Sequence, residues 1–271
     1  MTNRIGILCF SPTNTTRKIC NAVASGMGPD NPLILDMTLP GVRADIISNT
    51  KTVLDKIDHL IVGAPVYSGK LPLQAKECLK ALNGLGRKST AIVVYGNRDY
   101  GIALYNMIEI LSQNGFNVMG AGTFIAQHSY SDIVPVAMGR PDESDVAKAR
   151  KFGAQILHAS KPLSLNDIPL QIDMHSKSNK YSSLTPSYNK KLCIECGKCA
   201  KACPSGILSS DKGRYLNRSA KKNCIGCMAC VKNCKPKARF LKVNPLLHMV
   251  INRILGQASI ERKEPFMING G

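Results

Sequence analysis

The chain has 271 residues, 44% of them hydrophobic, with 11 cysteines, no tryptophan and a formal net charge of +18. No apolar run approaches the roughly 18 residues of a membrane span, which argues against a transmembrane segment. Met1-Thr2-Asn3-Arg4 passes straight into a strand-like run, with no signal-peptide core, so the expected location is cytoplasmic. In chain order, Arg4–Phe10 is a short apolar strand ending at Ser11-Pro12-Thr13-Asn14-Thr15-Thr16, after which Ile19, Ala22, Val23 and Met27 recur at helical spacing. Pro32–Met37 and Asp58–Ala64 read as the second and third strands, and a helix follows near Leu73–Leu82. Thr90–Tyr95 is a fourth strand, Ala103–Asn114 a helix, Gly115–Ile125 a fifth strand, and Asp142–His158 an amphipathic helix.

Near-continuous apolar strands alternating with helices imply a parallel sheet covered on both faces. The expected fold class is therefore α/β: a doubly wound, five-stranded parallel sheet of flavodoxin size over residues 1–160. Residues 161–187 lose periodicity and fill with Ser, Asn, Lys and Pro, the composition of a linker. A cysteine-rich module occupies 188–240. In the tail, 241–271, Leu246, Leu247, Val250, Ile251, Ile254 and Leu255 form an apolar stripe at helical spacing, expected to pack on the protein itself.

Eight cysteines fall within 42 residues, whereas Cys9, Cys20 and Cys78 are scattered. The first run is Cys193-x2-Cys196-x2-Cys199-x3-Cys203-Pro204; the second is Cys224-x2-Cys227-x2-Cys230-x3-Cys234, with Pro236 one place late. A reducing cytoplasm disfavours disulfides. The spacing is that of bacterial two-cluster ferredoxins, in which the fourth cysteine of each run ligates the other cluster. On that pattern Cys193, Cys196, Cys199 and Cys234 hold one 4Fe–4S cluster, and Cys224, Cys227, Cys230 and Cys203 the other, in a small α+β ferredoxin-like domain. Zinc is the competing ligand, but zinc sites use separated C-x-x-C pairs rather than this run twice. His158 and His175 stand at no ligand spacing.

Charge is concentrated in the same half. Residues 1–170 carry 17 Lys and Arg against 13 Asp and Glu, and residues 171–271 carry 19 against 5. Part of this excess would balance anionic clusters. The remainder suits an acidic redox partner, ferredoxin-like or a reductase. Nucleic acid is not expected, because the basic residues are interspersed with the cysteines and no aromatic stacking motif accompanies them.

Three loops at strand ends carry further chemistry. Hydroxyls and helix-start amides converge at Ser11, Thr13, Asn14, Thr15 and Thr16, making a phosphate site. This segment resembles the flavodoxin phosphate loop, S/T-x-T-G-x-T, with Asn14 at the glycine position, a residue that tolerates left-handed backbone angles. The resemblance implies FMN. It also implies that the loops at Pro65, Val66, Tyr67, Gly69 and Lys70, and at Gly96, Asn97, Arg98, Asp99 and Tyr100, flank the isoalloxazine ring. Tyr67 or Tyr100 would then stack on the ring and backbone groups near Asn97 would bond its edge, while Lys70 and Arg98 would place positive charge beside it. His128 follows the fifth strand and is read as a satisfied loop histidine. No G-x-G-x-x-G nicotinamide fingerprint is present.

With Tyr95–Arg98, Ala126–Ser129 and Arg262-Lys263-Glu264, the chain resembles the flavodoxin–ferredoxin fusion family found mostly in anaerobes. The resemblance implies an iron–sulfur flavoprotein oxidoreductase passing electrons between its clusters, FMN and a redox partner. An FMN-dependent reductase with its own small-molecule substrate is the alternative, and a zinc-bearing nucleic-acid binder a remote one.

Overall fold

Apolar runs buried on both sides build the centre of the molecule. A computed structural model describes residues 4–28, 31–169, 184–211 and 213–271; of the linker, residues 170–183, including His175, lie outside the described residues. The first half runs β1 (Ile5–Cys9), α1 (Thr15–Gly26), β2 (Leu33–Asp36), α2 (Pro40–Ser48), α3 (Thr50–Leu54), β3 (His59–Pro65), α4 (Leu73–Lys80), β4 (Lys88–Tyr95), α5 (Ala103–Gln113), β5 (Asn117–Ile125) and α6 (Glu143–Ile156). The second half holds β6 (Ser187–Tyr188), α7 (Lys198–Lys201), α8 (Arg218–Lys221), α9 (Ala229–Lys232), β7 (Arg239–Phe240), α10 (Pro245–Ile260) and β8 (Phe266–Asn269).

The strands lie in the order β2-β1-β3-β4-β5-β8. The first five are mutually parallel, and the order 2-1-3-4-5 is the flavodoxin-like doubly wound topology. Alternate residues of β3 and β4 serve opposite faces. Leu60, Val62, Ala64, Ala91 and Val93 pack with α4 and α5, whereas Ile61, Ile92 and Val94 pack with α1 and α6.

Two features depart from the sequence expectation by addition. A sixth strand, β8, returns from the carboxy terminus and pairs antiparallel with β5, Gly120 opposite Asn269. It covers the peptide edge of β5 that would otherwise be bare. The helices α2 and α3 fill a stretch with no sequence assignment. Pro40-Gly41 looks like a turn, yet proline in the first helical turn forfeits no hydrogen bond.

The tail is fastened to the sheet domain at several points. Ile251, Leu255 and Ala258 of α10 pack against Val134 and Val136. Beyond α10, Arg140 grips buried Asp145 and donates to the Lys263 carbonyl at 2.9 Å. Arg262 reaches Asp142 at 2.9 Å, and Lys148 pairs with Glu264. Among the described residues no helix is long and apolar enough to cross a membrane.

Candidate metal centre and nucleotide loop

Both cysteine runs fold alike. In the first, Glu195 (φ 54°) and Gly197 (φ 66°) are left-handed; in the second the equivalent residues are Gly226 (φ 68°) and Met228 (φ 59°). Such turns curl the loop and point successive N–H groups inward, a concavity suited to anionic sulfur. Glu195 N–H accordingly donates to Cys193 Sγ at 3.4 Å. Short helices α7 and α9 then carry each run toward its fourth cysteine. The displaced proline does no harm there. Gly206 and Lys237, each three residues after the fourth cysteine, are both left-handed (φ 62° and 54°) and close the same turn, Gly206 N–H to Cys203 O and Lys237 N–H to Cys234 O.

The runs exchange their fourth members. Cys193, Cys196, Cys199 and Cys234 line one open cavity. Cys203, Cys224, Cys227 and Cys230 line another. Each cavity is thus lined by four cysteines, the all-thiolate ligand set that a 4Fe–4S cluster takes. The environments differ. Cys196 is exposed, whereas Cys203 and Cys227 are buried. Burial pushes the Cys224 and Cys227 thiols above their ordinary range and the Cys230 thiol up to about 12, so these ligands depend on a metal's charge to ionise.

A second signal lay hidden in the basic stretch. Arg239 is 2% exposed and among the described residues has no carboxylate partner. Its guanidinium lies 4.9 Å from the Tyr215 ring and 5.9 Å from the Tyr188 ring, and it donates to the carbonyls of Gly213 and Pro186, leaving Nε unpaired. Its side chain lines the first cavity, its backbone N–H donates to Cys234 Sγ at 3.3 Å, and its charge also acts on Cys224 and Cys230. A buried, unpaired cation is costly unless an anion offsets it. Anionic clusters in the flanking cavities would be that anion.

The three loops follow β1, β3 and β4, which lie side by side in the sheet. Asn14 adopts φ 64° immediately before α1. Ser11 is buried, receives Arg17 N–H on its Oγ at 3.0 Å and donates its own N–H to Thr38 Oγ1 at 2.7 Å. Thr16 is 1% exposed and its Oγ1 has no partner. Thr13 and Thr15 are partly exposed, and the first-turn amides of α1 lack intrahelical acceptors. An orphaned buried hydroxyl at a helix start fits a phosphate.

Pro65 ends β3 and Val66 follows, its N–H bonded to Val94 O at 2.9 Å. Tyr67 and Lys70 then close a tight turn through left-handed Ser68 and Gly69. The loop after β4 is stitched to it. Ile102 N–H donates to Gly69 O at 3.0 Å, and Gly101 (φ 51°) lies so near that a Cβ would fall 2.6 Å from that carbonyl. Asp99 accepts from Gly101 N–H at 2.8 Å. Tyr100 is buried, packed edge-on against Tyr95 at 5.6 Å. Gly96 abuts His128, whose pKa is lowered to about 4 by burial and then by Arg98. The Asn97 side chain is engaged by the tail, bonding Ala258 O at 2.8 Å and Lys263 N at 3.2 Å, while Lys263 Nζ reaches the carbonyl of exposed Arg98 at 2.7 Å.

The two centres adjoin. Ile225, Cys227 and Ala229 belong to the same hydrophobic core as Leu71 and Ala75, and Val66 and Tyr67 pack against it. Burial and then the neighbouring Cys227 and Tyr130 hold the Tyr67 phenol well above its usual range. Arg43 donates to Pro204 O and Gln74 to Ser205 Oγ, both at 3.0 Å, on the same side. The inner cysteine cavity thus shares lining residues with the core on which the β3 loop packs, and none of the residues lining the outer one belongs to that core.

The fold and these sites define a flavodoxin-like domain joined in one chain to a ferredoxin-type iron–sulfur domain. Residues 192–238 match the family described as 4Fe-4S dicluster domain. Over 46 residues the chain is 50% identical to the "Putative electron transport protein YccM" of Escherichia coli (strain K12), a match covering 17% of this chain and 12% of that protein. Among solved structures it is similar to a flavodoxin from the domain Archaea (17% identity, 57% of this chain and 96% of that one, TM-score 0.41). It is also similar to an NADH:FMN oxidoreductase in its apo form (20% identity, 59% and 91%, TM-score 0.43).

Proposed function

We propose that this chain is an electron-transfer iron–sulfur flavoprotein holding two 4Fe–4S clusters and FMN, and exchanging electrons with an acidic redox protein. The observation that carries this reading is the shared core between Cys227 and the Val66–Tyr67 loop. A single-electron relay needs its centres close and separated by packed protein, and that contact supplies both. Cys193, Cys196, Cys199 and Cys234 are assigned to the outer cluster, and Cys203, Cys224, Cys227 and Cys230 to the inner. Thr16, Ser11 and the backbone amides of Thr13, Thr15 and Thr16 are assigned to the FMN phosphate. When bound, the clusters supply single electrons and FMN a store for two.

The chain's own residues do the rest. Arg239 holds a positive charge against both cysteine sets, which would favour the reduced, more anionic state of clusters held there. The hydrogen bond from Ile102 to Gly69 holds the two flavin-side loops together, and the tail fixes the second loop through Asn97. Tyr67 lies against the inner cysteines, which supports internal passage of electrons over reduction of a separate small molecule.

Anaerobic purification with iron, sulfide and flavin analysis, followed by stepwise reduction monitored in the visible and by electron paramagnetic resonance, tests this function. Two clusters and one FMN per chain are expected. Zinc without flavin would contradict it.

A further inference from the structure

The outer cavity faces a surface whose composition differs from the rest of the molecule. Cys196 is exposed, and beside it Ile194 and Leu192 are 69% and 48% exposed, an apolar centre around a candidate cluster edge. Lys191, Lys198, Lys232 and Lys235 each lie within two residues of an outer-set cysteine, all exposed. None of them forms an ion pair among the described residues. Glu195 is the one acidic residue inside the run. An apolar centre with a charged rim is the anatomy of a transient protein interface, and an uncompensated rim of one sign steers an oppositely charged partner.

We infer that the face around Cys193–Cys199 and Cys234 is the docking site of an acidic one-electron carrier protein, and that the outer cluster is the chain's external electron port. The inference rests on the electron path just proposed and adds where the path meets the outside. The inner set cannot serve as well, because Cys203 and Cys227 are buried and their loop packs on the sheet domain. The step balances simply: the reduced carrier loses one electron and is oxidised, the outer cluster gains it, and no bond or proton is exchanged. A protein is favoured over nucleic acid because exposed Ile194 and Leu192 offer apolar contact to a protein surface and no phosphate ligand.

The test uses the full-length, cluster- and flavin-loaded protein with a clostridial two-cluster ferredoxin, an acidic carrier, as probe. Binding of the oxidised proteins is followed by calorimetry, and reduction by the reduced ferredoxin in a stopped-flow instrument at low and high salt. Reversal of all four lysines (K191E, K198E, K232E, K235E) is expected to weaken binding and slow reduction by about tenfold or more at low salt, whereas Lys151→Glu on α6 leaves both unchanged. Photoreduction by deazaflavin and iron content should not differ between wild type and the reversal. If the reversal loses iron, the neutral pair K191Q and K235Q replaces it, with a smaller loss in the same direction. Rates and affinities insensitive to salt and to the lysines would overturn the proposal. So would lysine-dependent binding of a DNA duplex with none of the ferredoxin. A lysine-dependent reduction of clusters that never reaches the flavin would uphold the docking site and sink the internal path.

Discussion

Replacing Thr16 by valine should move stability and affinity in opposite directions. The Thr16 side chain is 1% exposed and its hydroxyl has no partner within the protein. A buried hydroxyl left unsatisfied costs about 1–3 kcal/mol, and valine replaces it with a methyl of similar size. The two residues have nearly equal helix propensity, so α1 itself is indifferent to the change. Flavin-free protein should therefore be stabilised by about 1 kcal/mol or more. The same hydroxyl bound to a phosphate oxygen is a hydrogen bond to a charged group, worth about 1.5–3 kcal/mol, so its loss should raise the FMN Kd by about 10- to 150-fold. Urea unfolding of the flavin-free protein gives the first quantity and fluorescence titration with FMN the second. A variant that is less stable, with an unchanged Kd, would refute the assignment of this loop to the phosphate.

Three other outcomes are expected. His59, buried and 2.8 Å from Thr90 Oγ1, has its pKa lowered to about 4 by burial and then by Lys88, and His128 behaves alike. Both are neutral when folded but protonate near pH 6.5 when unfolded, so stability is lost as pH falls below 6.5. The loss is about 2 kcal/mol per histidine between pH 7 and 5, and His59→Gln should roughly halve that slope in urea midpoints measured at both pH values. Cys203→Ser should halve the iron content and abolish the inner-cluster signal although the residue sits in the first run; loss of the outer signal instead would contradict the exchanged pairing. Arg239→Gln should lower the reduction potentials of both clusters in a potentiometric titration, and an unchanged potential with full iron would remove its role as their counter-charge.

How much was legible depends on whether local sequence or distant contact decides the outcome. Leu60–Ala64 and Ala91–Val94 announce themselves because strands covered on both faces must be apolar throughout. The exchanged cysteine sets follow from spacing, and Asn14 at a left-handed position from its tolerance of that geometry. By contrast, Phe266–Asn269 is only four residues whose strand state comes from pairing with β5, across more than a hundred residues of chain. Arg239 is one basic residue among many until the fold seats it between Tyr188, Tyr215 and the cysteines. Asn97 reads as a loop residue near a flavin, yet its side chain is engaged by a segment over 160 residues away. Pro236 stands one place late in the pattern, yet Lys237 takes the backbone angle of Gly206 and the same turn forms.

The central claim is that electrons cross from the cysteine cavities to the flavin loops within one chain. Rapid reduction of the clusters, with the flavin absorbance followed at several protein concentrations, tests it most directly. Flavin reduction should follow cluster reduction at a first-order rate independent of protein concentration. A rate that rises in proportion to protein concentration, or a flavin that stays oxidised beside reduced clusters, would contradict it.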